Sequence, residues 1–130
     1  MEKYKKISDS RSEQIQIVFS EHINGRGRLF GGRLVEWMDT LAAVVARRHS
    51  GKEVTTASID KVDFAVPANI NDTIYLVGEV LSVGNTSMNV HIKAYVEKLS
   101  GERILINNAK FIMVALDEND MPCRVPRLCE

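Results

Sequence analysis

The chain has 130 residues, which fits one domain and leaves little room for a second. Hydrophobic residues make up 45% and charged residues 26%, and 17 Lys and Arg offset 17 Asp and Glu. That balance excludes a disordered chain and supplies no field to draw nucleic acid or an anionic membrane.

Residues 1–13 are polar and charged and read as an N-terminal tail. The tail lacks the apolar stretch of a signal peptide, and no apolar run approaches the ~20 residues that span a bilayer, so a cytoplasmic protein is expected, without membrane insertion. A short strand follows over Gln14 to Phe19, where Ile15, Ile17 and Phe19 alternate with Gln14, Gln16 and Val18. Residues 20–28 form a loop broken by Gly25 and Gly27. Gly31 and Gly32 lead into a helix that runs to about Arg48, before Ser50 and Gly51. Strands are expected over 54–64, 73–83, 86–98 and 103–116, separated by turn signals at Gly84-Asn85 and Ser100-Gly101. From Asp117 the chain carries Pro122 and Pro126 and reads as irregular. Cys123 and Cys129 lack a CxxC spacing and a nearby His pair, so they read as reduced thiols and no metal is expected. One helix facing an antiparallel sheet of about five strands is an α+β domain, here assigned to residues 14–128.

At 100° per residue, Leu34, Trp37, Met38, Leu41, Val44 and Val45 form one broad apolar stripe. Val35, Ala42 and Ala46 make a strip of small residues, with Asp39 at its margin. Asp39 is either a half-exposed helix carboxylate paired with an arginine or a carboxylate facing a groove, where desolvation would make it a usable base. Gly31 and Gly32 are either a flexible helix entry or a close approach for a substrate carbonyl to the helix's free N–H groups. His22 and Asn24 in the preceding loop are either turn residues or site residues. No GxSxG elbow, Ser/His/Asp set, P-loop or dinucleotide fingerprint is present.

The string HINGRGRLFGGRLVEWMD, from His22 to Asp39, closely resembles the signature of the acyl-CoA hydrolase branch of the hotdog-fold thioesterases. Downstream, Phe64 to Pro67 resembles that family's FxxP element, Asn71-Asp72 stands where Gly-Asp is usual, Gly84 to Met88 resembles its G-x-T-S-M turn, and Pro126 to Leu128 resembles its C-terminal segment. The resemblance covers residues 14–128. It implies a hotdog fold, a long central helix wrapped by a curved antiparallel sheet. It implies subunits paired edge to edge as homodimers, often three dimers in a hexamer, with active sites at the dimer interface. It also implies hydrolysis of acyl-CoA thioesters to fatty acid and coenzyme A without metal or cofactor, coenzyme A being part of the substrate. Asp39 matches the family's catalytic carboxylate, acting as general base or as nucleophile. Asn24 matches its loop asparagine, acting from the opposite subunit, and Gly31 and Gly32 match its helix entry. His22, Phe64, Pro67, Thr86 and Ser87 are expected to contact substrate, the acyl chain to follow the strip of Ala42, Ala43 and Ala46, and Arg124 and Arg127 to meet nucleotide phosphates.

Two other readings stand beside this one. A hotdog dehydratase or isomerase acting on acyl thioesters would use a histidine with a carboxylate, and His22 with Asp39 fits that demand. A non-catalytic acyl-CoA sensor would keep the fold and lose turnover, since one fold hosts many functions.

Overall fold

The computed structural model describes residues 2–64 and 66–129. Its long helix, α2 (Gly31–Ser50), lies across a five-stranded antiparallel sheet. The short strands and helix that precede it are β1 (Tyr4–Lys5), α1 (Ile7–Ser10) and β2 (Ser12–Ile17). After α2 come β3 (Glu53–Asp60), β4 (Thr73–Val83), β5 (Ser87–Glu97), β6 (Arg103–Leu116) and β7 (Arg127–Leu128). The sheet order is β2-β4-β5-β6-β3, so β2 and β3 are its edges. The expected long helix wrapped by an antiparallel sheet, the hotdog architecture, is the one observed.

The core forms where the apolar stripe of α2 meets the inward face of the sheet. Leu34, Met38, Leu41 and Val45 are at most 5% exposed and pack against Ile74, Leu76, Val80, Met88, Val90, Ile92, Phe111 and Met113. In β4 and β5 alternate residues are buried, which is the period-2 pattern of a half-covered sheet. Gly78 in β4 lets the helix approach closely, since a Cβ there would lie 2.5 Å from Ile92 Cδ1 and 3.1 Å from Val45 Cγ2. Gly51, at φ 69°, closes α2 in a left-handed cap.

Three expectations are corrected. Residues 4–13 are not a loose tail: β1 pairs in parallel with β7, α1 adds one turn, and β2 begins at Ser12. The irregular C-terminal segment therefore ends in a strand that the N-terminus holds. Two-residue strands and a one-turn helix carry no periodicity to read. The small-residue strip of α2 is not an open groove, because Ala42 and Ala46 are fully buried, while Val35 and Ala43 are half-buried. Finally, the strand expected over Gln14 to Phe19 ends at Ile17, and Ile15, Ile17 and Phe19 are 62%, 44% and 55% exposed.

His49, near the end of α2, fastens this terminal strap. It is fully buried, with Nε2 2.8 Å from the Pro126 carbonyl oxygen. Burial pushes its pKa below the ordinary value; the Pro126 carbonyl opposes that, Lys5 and Arg127 lower it further, and Asp9 opposes them. The native state thus keeps His49 neutral where the unfolded chain, with histidine near 6.5, takes up a proton. Stability from this group is complete above that value and declines as pH falls from it toward the folded pKa. Urea midpoints measured from pH 7.5 to 5 should fall with acidification, and less steeply in His49→Gln, which keeps a donor for Pro126. Equal slopes would count against the assignment.

Candidate active site

The loop before α2 is a closed unit. After a single 3₁₀ turn at Ser20–His22, Ile23 bridges to Leu29, and Asn24 N–H donates to Arg28 O at 2.8 Å. Gly27 turns the loop at φ 75°. Asn24 Oδ1 accepts from Arg26 N at 2.8 Å and Arg28 N at 3.3 Å. This fixes the carboxamide and leaves its NH₂ with no partner among the described residues. The segment before β4 clamps the loop from outside, with Leu29 N–H to Ala68 O at 2.8 Å and Ile70 N–H to Gly27 O at 2.9 Å.

His22 belongs to this scaffold. Its Nδ1 accepts from Phe19 N–H at 2.9 Å, so the neutral ring carries its proton on Nε2. Its ring stands edge-on to Trp37, centroids 5.1 Å apart.

Phe30 caps α2 without a side-chain hydrogen bond. Arg33 and Leu34 N–H both reach Phe30 O, while Gly31 and Gly32 N–H have no acceptor among the described residues. Two free donors thus sit at the positive end of a twenty-residue helix. The absence of a side chain at Gly31 admits the Phe64 ring, whose Cε1 would be 3.1 Å from a Cβ there.

Beside these donors is a cavity of about 200 Å³ lined by Asn24, Gly31, Leu34, Phe64, Pro67 and Ile106 among others. Four expected site residues, Asn24, Gly31, Phe64 and Pro67, therefore meet at one place. A larger depression of about 390 Å³ touches Gly32, but it is open and crossed by the Arg33–Glu36 ion pair.

Asp39 is elsewhere. It lies eight residues beyond Gly31, on the order of 12 Å along the helix axis, and does not line the cavity. It is half-buried, and its partner is not an arginine: Thr56 Oγ1 donates to Asp39 Oδ1 at 2.7 Å. Oδ2 has no partner among the described residues. Thr56 stands in β3 where the pairing with β6 slips by one residue, between Thr56 and Ser58. Such bulges re-aim side chains. Sequence reasoning missed Thr56; one threonine in a strand gives no sign of a carboxylate 17 residues earlier on a helix.

Met88, Met113 and Thr56 are paired across β5, β6 and β3, so the Asp39 end of the sheet is also the end where Thr86 and Ser87 lie. Those two shape the β4–β5 turn: Gly84 N–H donates to Ser87 O, and Ala115 N–H to Thr86 O. Ser87 pairs with Val114, eight residues along β6 from Ile106, roughly 25 Å of strand. The chain thus holds two separate clusters, the Asn24–Gly31–Phe64 cavity and the Asp39–Thr56 pair. Arg124 and Arg127 are taken by the terminal strap: Arg124 bonds Glu2 and Asn85, and Arg127 bonds the carbonyls of Gly84 and Val125.

If Thr56 orients the carboxylate, Thr56→Val should lower kcat about tenfold, the loss of one hydrogen bond of about 1.4 kcal/mol. KM should barely change, and Thr56→Ser should restore the rate. A Thr56→Ser variant as slow as Thr56→Val would refute the role.

The described residues contain no group of three or more His, Cys, Asp or Glu placed to hold a metal, and no helix long and apolar enough to cross a membrane. A model of the thioesterase superfamily matches residues 26–101. The "Uncharacterized acyl-CoA thioester hydrolase YkhA" of Bacillus subtilis (strain 168) is 39% identical over 121 residues, 92% of this chain and 70% of that protein. An apo-hexameric acyl-CoA thioesterase superposes with a TM-score of 0.93 at 36% identity, covering 97% of this chain and 81% of that one. The acyl-CoA hydrolase of Staphylococcus aureus, in complex with butyryl coenzyme A, coenzyme A and coenzyme A disulfide, superposes with a TM-score of 0.94. It is 32% identical, over 96% of this chain and 77% of that one. Structures of that hydrolase also exist with alanine at an asparagine, an aspartate and a threonine. Those three positions are 15 and 17 residues apart, as Asn24, Asp39 and Thr56 are here.

Proposed function

The chain belongs to the thioesterase superfamily, and from that premise we propose that it hydrolyses acyl-CoA thioesters to a carboxylic acid and free coenzyme A at a site shared between two subunits. The carrying observation is the separation, within one protomer, of two complementary half-sites. One offers an apolar cavity lined by Gly31 at the helix start, where the Gly31 and Gly32 N–H groups are free of any described acceptor. The other offers a carboxylate held by Thr56.

Neither half suffices for acyl transfer. The thioester oxygen needs donors where negative charge develops, and water needs a base. Strand β3, which carries Thr56, is an edge with no neighbour on its outer side among the described residues. Pairing two β3 edges about a two-fold axis continues the sheet and brings a partner's loop toward Asp39. In the complete site, the thioester oxygen points at the Gly31 and Gly32 N–H groups of the partner subunit, the one that also supplies Asn24. Asp39 removes a proton from water as the oxygen of that water attacks the carbonyl carbon. Asn24 of the partner subunit, through its unpartnered NH₂, orients the water or the substrate. Collapse of the tetrahedral intermediate breaks the C–S bond, and the thiolate leaves and takes up a proton. Phe64 and Pro67 flank the mouth where the pantetheine arm enters. The matching spacing of the three residues replaced by alanine in the Staphylococcus aureus hydrolase supports this grouping. Dimers joined further into hexamers are part of the proposal, supported by the hexameric neighbour.

The test is release of free thiol from a panel of acyl-CoA thioesters, followed with a thiol reagent. Turnover of at least one chain length is expected. Binding without thiol release across the panel, or hydration of an enoyl thioester in its place, would overturn the proposal.

A further inference from the structure

Strand β2 has its faces reversed. Gln14 and Gln16 pair with Leu76 and Ile74, which lie in the core, so the two glutamines face α2 while Ile15 and Ile17 face away from it. A sheet with one solvated face carries the opposite order, apolar in and polar out. The reversal continues across the sheet. Ile15 pairs with Tyr75, Tyr75 with Tyr95, and Tyr95 with Leu105, so four strands set one apolar row on the outer face. Ile15 and Leu105, at the two ends of the row, are exposed. Its centre is already ordered. The Tyr75 and Tyr95 rings lie with centroids 6.0 Å apart. Arg103 Cζ is 3.7 Å from the centre of the Tyr75 ring, and Arg103 Nε donates to Glu97 Oε1 at 2.9 Å.

Resting on the β3-edge dimer proposed above, we infer that this row is the surface by which dimers join, and that its occupant is the same face of a second copy of the chain. The dimer uses the β3 edge, whereas the row begins on β2 at the opposite edge and lies on the outer face, so dimer formation leaves it free. Tyrosine and arginine dominate the energetics of interfaces, and here they are held in place before contact, which spares the entropy of ordering them. Charge decides the occupant. Glu97 and Lys93 stand on β5 two residues either side of Tyr95, on the same face, so the row is flanked by opposite signs. A two-fold axis running along the row lays row on row and sets Glu97 of one copy opposite the partner subunit's Lys93, twice. A partner of one charge sign, such as nucleic acid, would meet a like charge on one flank. Alternating the β3 edge with this face closes a ring of dimers, three dimers giving a hexamer.

The experiment measures the mass of the parent, I15E and L105S by light scattering at equal concentration, with circular dichroism and thiol release on the same samples. The parent should be larger than a dimer. Each variant should fall to the dimer, about a threefold loss of mass from a hexamer. Each should keep the parent's thiol release per chain, because the β3 edge, the Gly31 cavity and the Asp39–Thr56 pair are untouched. The two substitutions alter opposite ends of the row, and circular dichroism shows which variants are folded. A parent of dimer mass, a folded variant that keeps the parent's mass, or a variant that falls to an inactive monomer overturns the inference. Unfolding of both variants assigns the row to the chain's own fold and overturns it too. If the parent hydrolyses no acyl-CoA thioester, the proposed function falls while the masses still decide this inference.

Discussion

Replacing Asp39 with alanine should cut kcat for acyl-CoA hydrolysis by about 10²- to 10⁴-fold, the usual cost of losing one positioned acid or base. The expectation rests on where the carboxylate sits. It is half-buried, takes a 2.7 Å hydrogen bond from Thr56, and keeps Oδ2 free of any described partner. No ion pair among the described residues depends on it, so its removal should leave thermal stability nearly unchanged. Asp39→Asn keeps the shape and the Thr56 contact and should be almost as slow as Asp39→Ala. Steady-state thiol release with melting curves on the same samples checks both points. Activity within a few-fold of the parent would remove Asp39 from the chemistry.

The second large effect is expected at Asn24. Its Oδ1 is committed to the loop, accepting from Arg26 and Arg28 N–H, so the NH₂ is the part available for substrate or water. Asn24→Asp keeps the turn and loses the donors. It should lower kcat/KM by about 10²-fold, the cost of a mispositioned reactant, with an unchanged melting temperature. Asn24→Ala loses both the donors and the turn, so it should match that loss and also loosen the loop. If Asn24→Asp is fully active and Asn24→Ala is not, the side chain serves the turn only.

Much of the fold could be read from local pattern. β4 and β6 begin and end at the expected residues, because long period-2 runs bounded by turn signals leave few alternatives. The stripe from Leu34 to Val45 gave the buried face of α2. What could not be read depends on distant partners. Ala42 and Ala46 looked like a groove because small residues leave space on an isolated helix; the sheet fills that space. The strap of β1 and β7 is two residues long on each side and exists only because the two chain ends meet. At the site, Asn24, Gly31, Phe64 and Pro67 were legible through their motifs, and the cavity gathers them. Thr56 was not. It gains its meaning from a bulge at Ala57 in β3, and sequence gives no sign of that slip.

The account turns on a site divided between subunits, and one measurement addresses that directly. Asn24→Asp and Asp39→Ala chains, co-expressed with different tags and purified together, are assayed beside each variant alone. About a quarter of the parent rate is expected, because half of randomly paired two-fold dimers are mixed and each mixed dimer keeps one intact site of two. A co-expressed sample no faster than the average of the two inactive variants, with mixed dimers demonstrably present, would place Asn24 and Asp39 in one protomer and contradict the shared site.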